Sequence, residues 1–103
     1  MSRLEPDVRK KIEEFIRGFY NEDELKAYIL KWELMKGERI VLCVKSAIVG
    51  DFHGEVWNDY QNILKEKYGR RHMLTQEQYN AFNYNFIEWA REFKAKLDEV
   101  INS

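Results

Sequence analysis

The sequence predicts an all-α fold: a single-domain bundle of four or five helices that covers residues 1–103 and ends in a long C-terminal helix. Apolar residues recur at spacings of three and four along most of the chain, which is the period of one helix face. Capping residues and glycines lie where these runs begin and end. The chain also has no repeat, low-complexity tract or linker that would divide it into two domains.

The first two predicted helices follow each other closely. The first begins near Pro6, a residue type that suits the first helical turn. Its apolar stripe is Val8, Ile12, Phe15, Ile16 and Phe19. The second begins at Asn21, which has capping-box spacing to Glu24, and it ends at Gly37. Its stripe is Leu25, Tyr28, Ile29, Trp32 and Met35. The short link predicts a tight corner or a helical hairpin.

The sequence of residues 38–49 is compatible with either a strand or a helix. Their Ile and Val content favours a strand, while the spacing of the same residues also fits a buried helix. We favour the helix, because a hairpin turn through Lys45 and Ser46 lacks the Gly or Asn that two-residue turns prefer. The alternative is an α+β fold with a short hairpin near residues 39–50.

The last two predicted helices have clear boundaries. Asp51 is expected to cap a helix that runs to Tyr68 and stops at Gly69, a residue type typical of the C′ position. After a short loop, Thr75 and Gln78 form a capping box at the start of the final helix. The main stripe of that helix is Tyr79, Phe82, Phe86, Trp89, Phe93, Leu97 and Val100.

The final helix is apolar on more than one side, which suggests an interface. Tyr84 and Ile87 lie off its main stripe, and Arg91 follows at the same spacing. Trp57 lies one position off the stripe of its own helix, where indoles are common at interfaces. We therefore expect a protein-interaction module that self-associates through the aromatic-rich C-terminal helix. Its partner would be a second copy or another protein, with these four residues in the interface.

The composition restricts the partners and the location. With 17 basic and 18 acidic residues, the net charge of −1 gives no overall attraction to nucleic acid or to an anionic membrane. The single cysteine, Cys43, excludes an internal disulfide framework and suggests a buried free thiol in a reducing compartment. The charged N-terminal segment lacks a signal-peptide pattern, and no apolar run is long enough to span a bilayer. We expect a cytoplasmic protein without membrane contact.

A local basic cluster supports an alternative function. Basic side chains gather between the last two helices, at Lys65, Lys67, Arg70, Arg71 and His72. Amide side chains able to read adenine edges follow at Gln76, Gln78 and Asn80. The alternative is therefore a helix-turn-helix-like DNA-binding protein that uses the Arg70–Asn83 region. The simpler explanation is a solvated basic loop.

The sequence gives no support for an enzyme. It contains no nucleophile elbow and no phosphate-binding loop. His53 and Glu55 have the spacing of one half of a zinc deaminase motif, but one Cys and two His in the whole chain cannot complete such a site. We expect no catalytic residues, no metal and no cofactor.

Overall fold

The computed structural model describes residues 3–37 and 44–101 of the chain. Every regular element within those residues is a helix, which confirms the predicted all-α class. The four helices are α1 (Pro6–Arg17), α2 (Glu22–Gly37), α3 (Val44–Tyr68) and α4 (Gln76–Ile101). Of the ambiguous segment, residues 44–49 belong to α3, whereas residues 38–43, with the predicted buried Cys43, lie outside the described residues.

The predicted helix ends agree with the structure at most positions. The Asn21 Oδ1 atom accepts hydrogen bonds from the backbone N–H groups of Asp23 (2.8 Å) and Glu24 (3.3 Å), so it caps α2. Gly69 has a φ angle of +106°, a backbone conformation open to glycine at little cost, and it ends α3. Local capping chemistry therefore fixes these boundaries.

The expectation that Asp51 starts a helix is wrong. α3 is continuous across this position for 25 residues. The Asp51 Oδ2 atom accepts a hydrogen bond from Trp32 Nε1 (2.9 Å) and lies 3.3 Å from Lys31 Nζ, both on α2. Because Ile48 and Phe52 on either side are buried in the same core, the helix continues and the carboxylate serves to join α2 to α3.

α3 lies at the centre of the bundle and runs antiparallel to both α1 and α4. At one end, Glu5 before α1 bonds to Lys67 near the end of α3. At the other end, the ring of Phe52 packs 4.1 Å from that of Phe93 on α4, in a parallel stack. Tyr60 of α3 donates a hydrogen bond to the backbone carbonyl of Gln78 at 3.0 Å, which pairs the opposite ends of the two helices.

One hydrophobic core joins the four helices. The largest fully buried side chains come from α1, α3 and α4: Val8, Ile12, Ile48, Phe52, Val56, Tyr60, Leu64, Phe82, Phe93 and Leu97. α2 adds Leu25, and it places Tyr28, Ile29 and Trp32 against the same core at partial burial. Among the described residues, no helix combines the length and the hydrophobicity needed to cross a membrane.

Candidate interaction surface

Helix α4 begins at a capping box that fixes the position of its first turn. The Gln78 backbone N–H donates to Thr75 Oγ1 (3.1 Å), and the Thr75 N–H donates to Gln78 Oε1 (3.0 Å). From this start, the main stripe turns toward α3. We call four of its residues the inner face, and all are buried at 4% exposure or less: Phe82, Trp89, Phe93 and Leu97.

The opposite side of α4 presents large apolar side chains to solvent. Tyr84 is 53% exposed and Ile87 is 54% exposed. Arg91 is also exposed, and the spacings of three and four place it in the same row. We call these three residues the outer face. The structure thus brings together three of the four predicted interface residues on one side of one helix.

The fourth predicted interface residue, Trp57, lies beside the first two turns of α4. Its half-buried ring packs edge-on against Tyr79 (5.6 Å) and Phe82 (4.8 Å), and it lies 6.2 Å from Tyr60. His53, one turn earlier on α3, makes a similar edge contact with Phe86 at 4.8 Å. These rings line the seam between α3 and α4, so Trp57 packs within the fold rather than on the outer face.

The basic cluster is partly neutralised within the chain. Lys67 forms ion pairs with Glu5 and with Asp7, the second at 3.0 Å. Hydrogen bonds to these two carboxylates raise the pKa of Lys67. The hydrogen bond from Lys67, followed by the one from Tyr68, lowers the pKa of Glu5. Lys65, Arg70 and Arg71 are exposed.

The predicted base-reading side chains are also engaged with one another. The His72 ring packs 4.9 Å from Tyr68, and its Nε2 atom lies 2.8 Å from Gln78 Oε1, the atom that also completes the capping box. Gln76 Nε2 donates to Asn80 Oδ1 at 3.0 Å on the exposed side of α4. A base contact through Gln78 would therefore compete with two bonds that hold the start of α4.

Sequence analysis missed a second apolar surface, on α2. Leu30 is 62% exposed and Leu34 is 65% exposed, and Ala27 lies in the same row. The signal was present, since these residues have spacings of three and four. The row was hidden because α2 also carries a longer apolar stripe, and sequence alone does not say which stripe faces the core.

Two glycines inside α3 were also missed. Gly50 and Gly54 are four residues apart and therefore lie on one side of the helix. A Cβ atom placed at either position meets no described side chain within 4 Å. Glycine costs about 1 kcal/mol relative to alanine in a helix interior. Packing within the described part of the chain does not explain this pair.

The described residues also form surface clefts. A cleft of about 370 Å³ opens between the N-terminal ends of α1 and α4, where Leu4 and Val8 lie beside Glu5 and Glu77. Within residues 3–37 and 44–101, no group of three or more His, Cys, Asp or Glu side chains is arranged to hold a metal ion.

Comparison with known proteins gives no assignment for this chain. No protein-family model matches it, and no curated protein or solved structure matches it either. The interpretation of the outer face of α4 therefore rests on the chemistry and exposure of its own residues.

Proposed function

We propose that this protein is a non-enzymatic interaction module that self-associates through the outer face of α4. The observation that carries the proposal is the exposure of Tyr84 and Ile87 on consecutive turns of a helix whose inner face is buried. Single exposed apolar residues are normal on protein surfaces, but neighbouring ones next to an arginine match the composition of interface centres. The cytoplasmic location inferred from the sequence is part of this proposal.

Burial of the exposed side chains of the outer face would favour association. Full burial of an aliphatic side chain of this size is worth about 1.5–3 kcal/mol, and Ile87, which is 54% exposed, would gain about half of that. In a symmetric dimer each copy contributes Ile87 and Tyr84, so that four large side chains leave water together. Trp57 and its neighbour Tyr79, which is 47% exposed, lie at the seam between α3 and α4 and are not part of the outer face.

The direct test is sedimentation velocity over a wide range of protein concentration, on the wild type and on Ile87→Glu. The wild type is expected to form a species heavier than one chain as the concentration rises. The variant is expected to stay monomeric, because an unpaired carboxylate in a desolvated contact costs several kcal/mol. Circular dichroism of the variant checks that the helices remain folded.

A matched control comes from α2. Leu30→Glu makes the same kind of change, from an exposed aliphatic residue to a carboxylate, on a different helix. It is expected to leave self-association unchanged. A wild type that remains monomeric at every concentration contradicts the proposal. Loss of association in Leu30→Glu but not in Ile87→Glu would move the interface to α2.

DNA binding through the Arg70–Asn83 region is the second candidate. Lys65, Arg70 and Arg71 support it, because they are exposed and close to the start of α4. Lys67, which is already paired with two carboxylates, weakens it. Titration of duplex DNA at about 50 mM salt is the test, since even non-specific contacts are strong under that condition.

Phosphate contacts and base contacts would be distinguished by how the DNA affinity of each variant depends on salt concentration. Removing the charge of Arg70 or Arg71 should reduce the slope of log affinity against log salt by about one per lost phosphate contact. Gln76→Ala should reduce sequence discrimination by about 1–3 kcal/mol and leave the slope unchanged. Absence of binding by the wild type would eliminate this candidate.

A further inference from the structure

The outer face lies at the middle of α4. The helix has 26 residues, and at 1.5 Å per residue it is about 39 Å long, close to the 43 Å longest dimension of the molecule. Its midpoint falls beside Glu88, between Ile87 and Arg91. A second copy that docks on the outer face with its α4 axis nearly aligned therefore overlaps α4 along almost its whole length, whichever way the second helix runs.

The charge of Arg91 favours one of the two possible directions. Arg91 is exposed and forms no ion pair with any residue in 3–37 or 44–101. In a parallel pair, each Arg91 lies beside the same residue of the second copy, and like charges in contact are destabilising. In an antiparallel pair centred on the helix midpoint, Arg91 lies between Tyr84 and Glu88 of the second copy. A ring face and a carboxylate both suit a guanidinium group.

We propose that two copies of this chain pair their α4 helices antiparallel about the midpoint. Ile87 then lies near the two-fold axis, and Arg91 of each copy lies between Tyr84 and Glu88 of the other. This proposal rests on self-association through the outer face and adds its symmetry, its partner and its register. The interface is isologous, so it closes after two copies and does not extend into a filament.

Cysteine cross-linking tests the direction of the helices. Asn80 and Ala95 are both exposed and lie almost equally far from the midpoint, on opposite sides. Each is replaced by cysteine in a Cys43→Ala background, so that the new thiol is the only one in the chain. One variant is isotopically labelled, the two are mixed and oxidised mildly, and the disulfide-linked species are identified by mass.

The antiparallel arrangement predicts that the mixed disulfide, Asn80→Cys to Ala95→Cys, predominates over both symmetric ones. Predominance of the symmetric disulfides would overturn the antiparallel register while leaving self-association in place. A sedimentation dimer that yields no disulfide in any mixture would place the interface elsewhere. A monomer in sedimentation and no disulfide would overturn this inference together with the proposed function.

A charge exchange tests the contact of Arg91 with Glu88. Arg91→Glu is expected to weaken association by about tenfold or more, because it removes the cation and adds a like charge beside Glu88. The double variant Arg91→Glu, Glu88→Arg restores opposite charges between the copies, and its association should return to within about threefold of the wild type. If the association of the double variant does not recover, the register is contradicted. Exchanging the two charges would not restore association if Arg91 only supported the fold of its own chain.

Discussion

The two faces of α4 are built from similar residues, yet they differ in how they are covered. The inner face includes Phe93 and Leu97, which are 0% exposed, whereas Tyr84 and Ile87 on the outer face remain about half exposed. The difference comes from the position of α3, which covers only one side of the helix. A helix that is apolar on more than one side is therefore covered only in part by the described residues of its own chain.

The largest expected difference between the two faces is in the free energy of unfolding, when one residue of each face is replaced by alanine. Leu97→Ala should destabilise the fold by about 2–5 kcal/mol, because it leaves a cavity in a packed core. Ile87→Ala should change the free energy of unfolding of the monomer by less than about 0.5 kcal/mol. Urea unfolding at low protein concentration measures both. A large loss in Ile87→Ala would show that the outer face is core after all.

Two tyrosines, Tyr60 and Tyr20, differ in whether their hydroxyl groups are hydrogen-bonded. The Tyr60 hydroxyl donates to the Gln78 carbonyl, and Tyr60→Phe should cost about 1 kcal/mol by removing that bond. The buried Tyr20 hydroxyl has no hydrogen-bond partner among the described residues, so Tyr20→Phe should be neutral or slightly stabilising. Chemical denaturation of both variants against the wild type checks this. Equal losses would contradict the assigned bonding.

The same tyrosines predict an alkaline transition. Burial, as the largest cause, raises the pKa of Tyr60 and of Tyr20 from 10.0 to about 12. The unfolded chain loses these protons first as the pH rises, so stability is fully present below pH 10 and falls as the pH approaches 12. Stability measured across this range should fall less steeply in Tyr60→Phe. An unchanged slope would mean that Tyr60 titrates like an exposed tyrosine.

The smallest expected change in stability concerns two glycines of α3. Gly50→Ala and Gly54→Ala should each stabilise the fold by about 0.5–1 kcal/mol, because the added methyl group meets no described side chain and favours the helix. Thermal unfolding measures the gain. If either alanine instead weakens self-association in sedimentation, then the glycine side of α3 belongs to the interface, and the outer face of α4 is not its centre.

The sequence predicted the features that depend on neighbouring residues. The caps at Asn21 and Thr75 and the stop at Gly69 depend on residues at most a few positions away, and the structure confirms them. Asp51 also looked like a cap, but its carboxylate is bound by Trp32 of α2. That contact depends on tertiary packing, so no local pattern predicts it.

The candidate interaction surface also combines features that local sequence predicts with features that depend on tertiary packing. The exposed side of α4 was predictable, because Tyr84 and Ile87 depart from a long regular stripe. The pairing of Lys67 with Glu5 joins residues 62 positions apart, and it removes one cation from the predicted basic cluster. The apolar row that includes Leu30 was missed because two rows of α2 compete for the core, and only packing decides between them.

Hydroxyl-radical footprinting of the wild-type protein tests the central claim most directly, because it locates the interface without a mutation. Tyr84 and Tyr68 start from similar exposure, 53% and 47%, but only Tyr84 belongs to the outer face of α4. As the protein concentration rises, the oxidation rate of Tyr84 is expected to fall severalfold while that of Tyr68 stays constant. Equal rates for Tyr84 at low and high concentration would contradict self-association through this face.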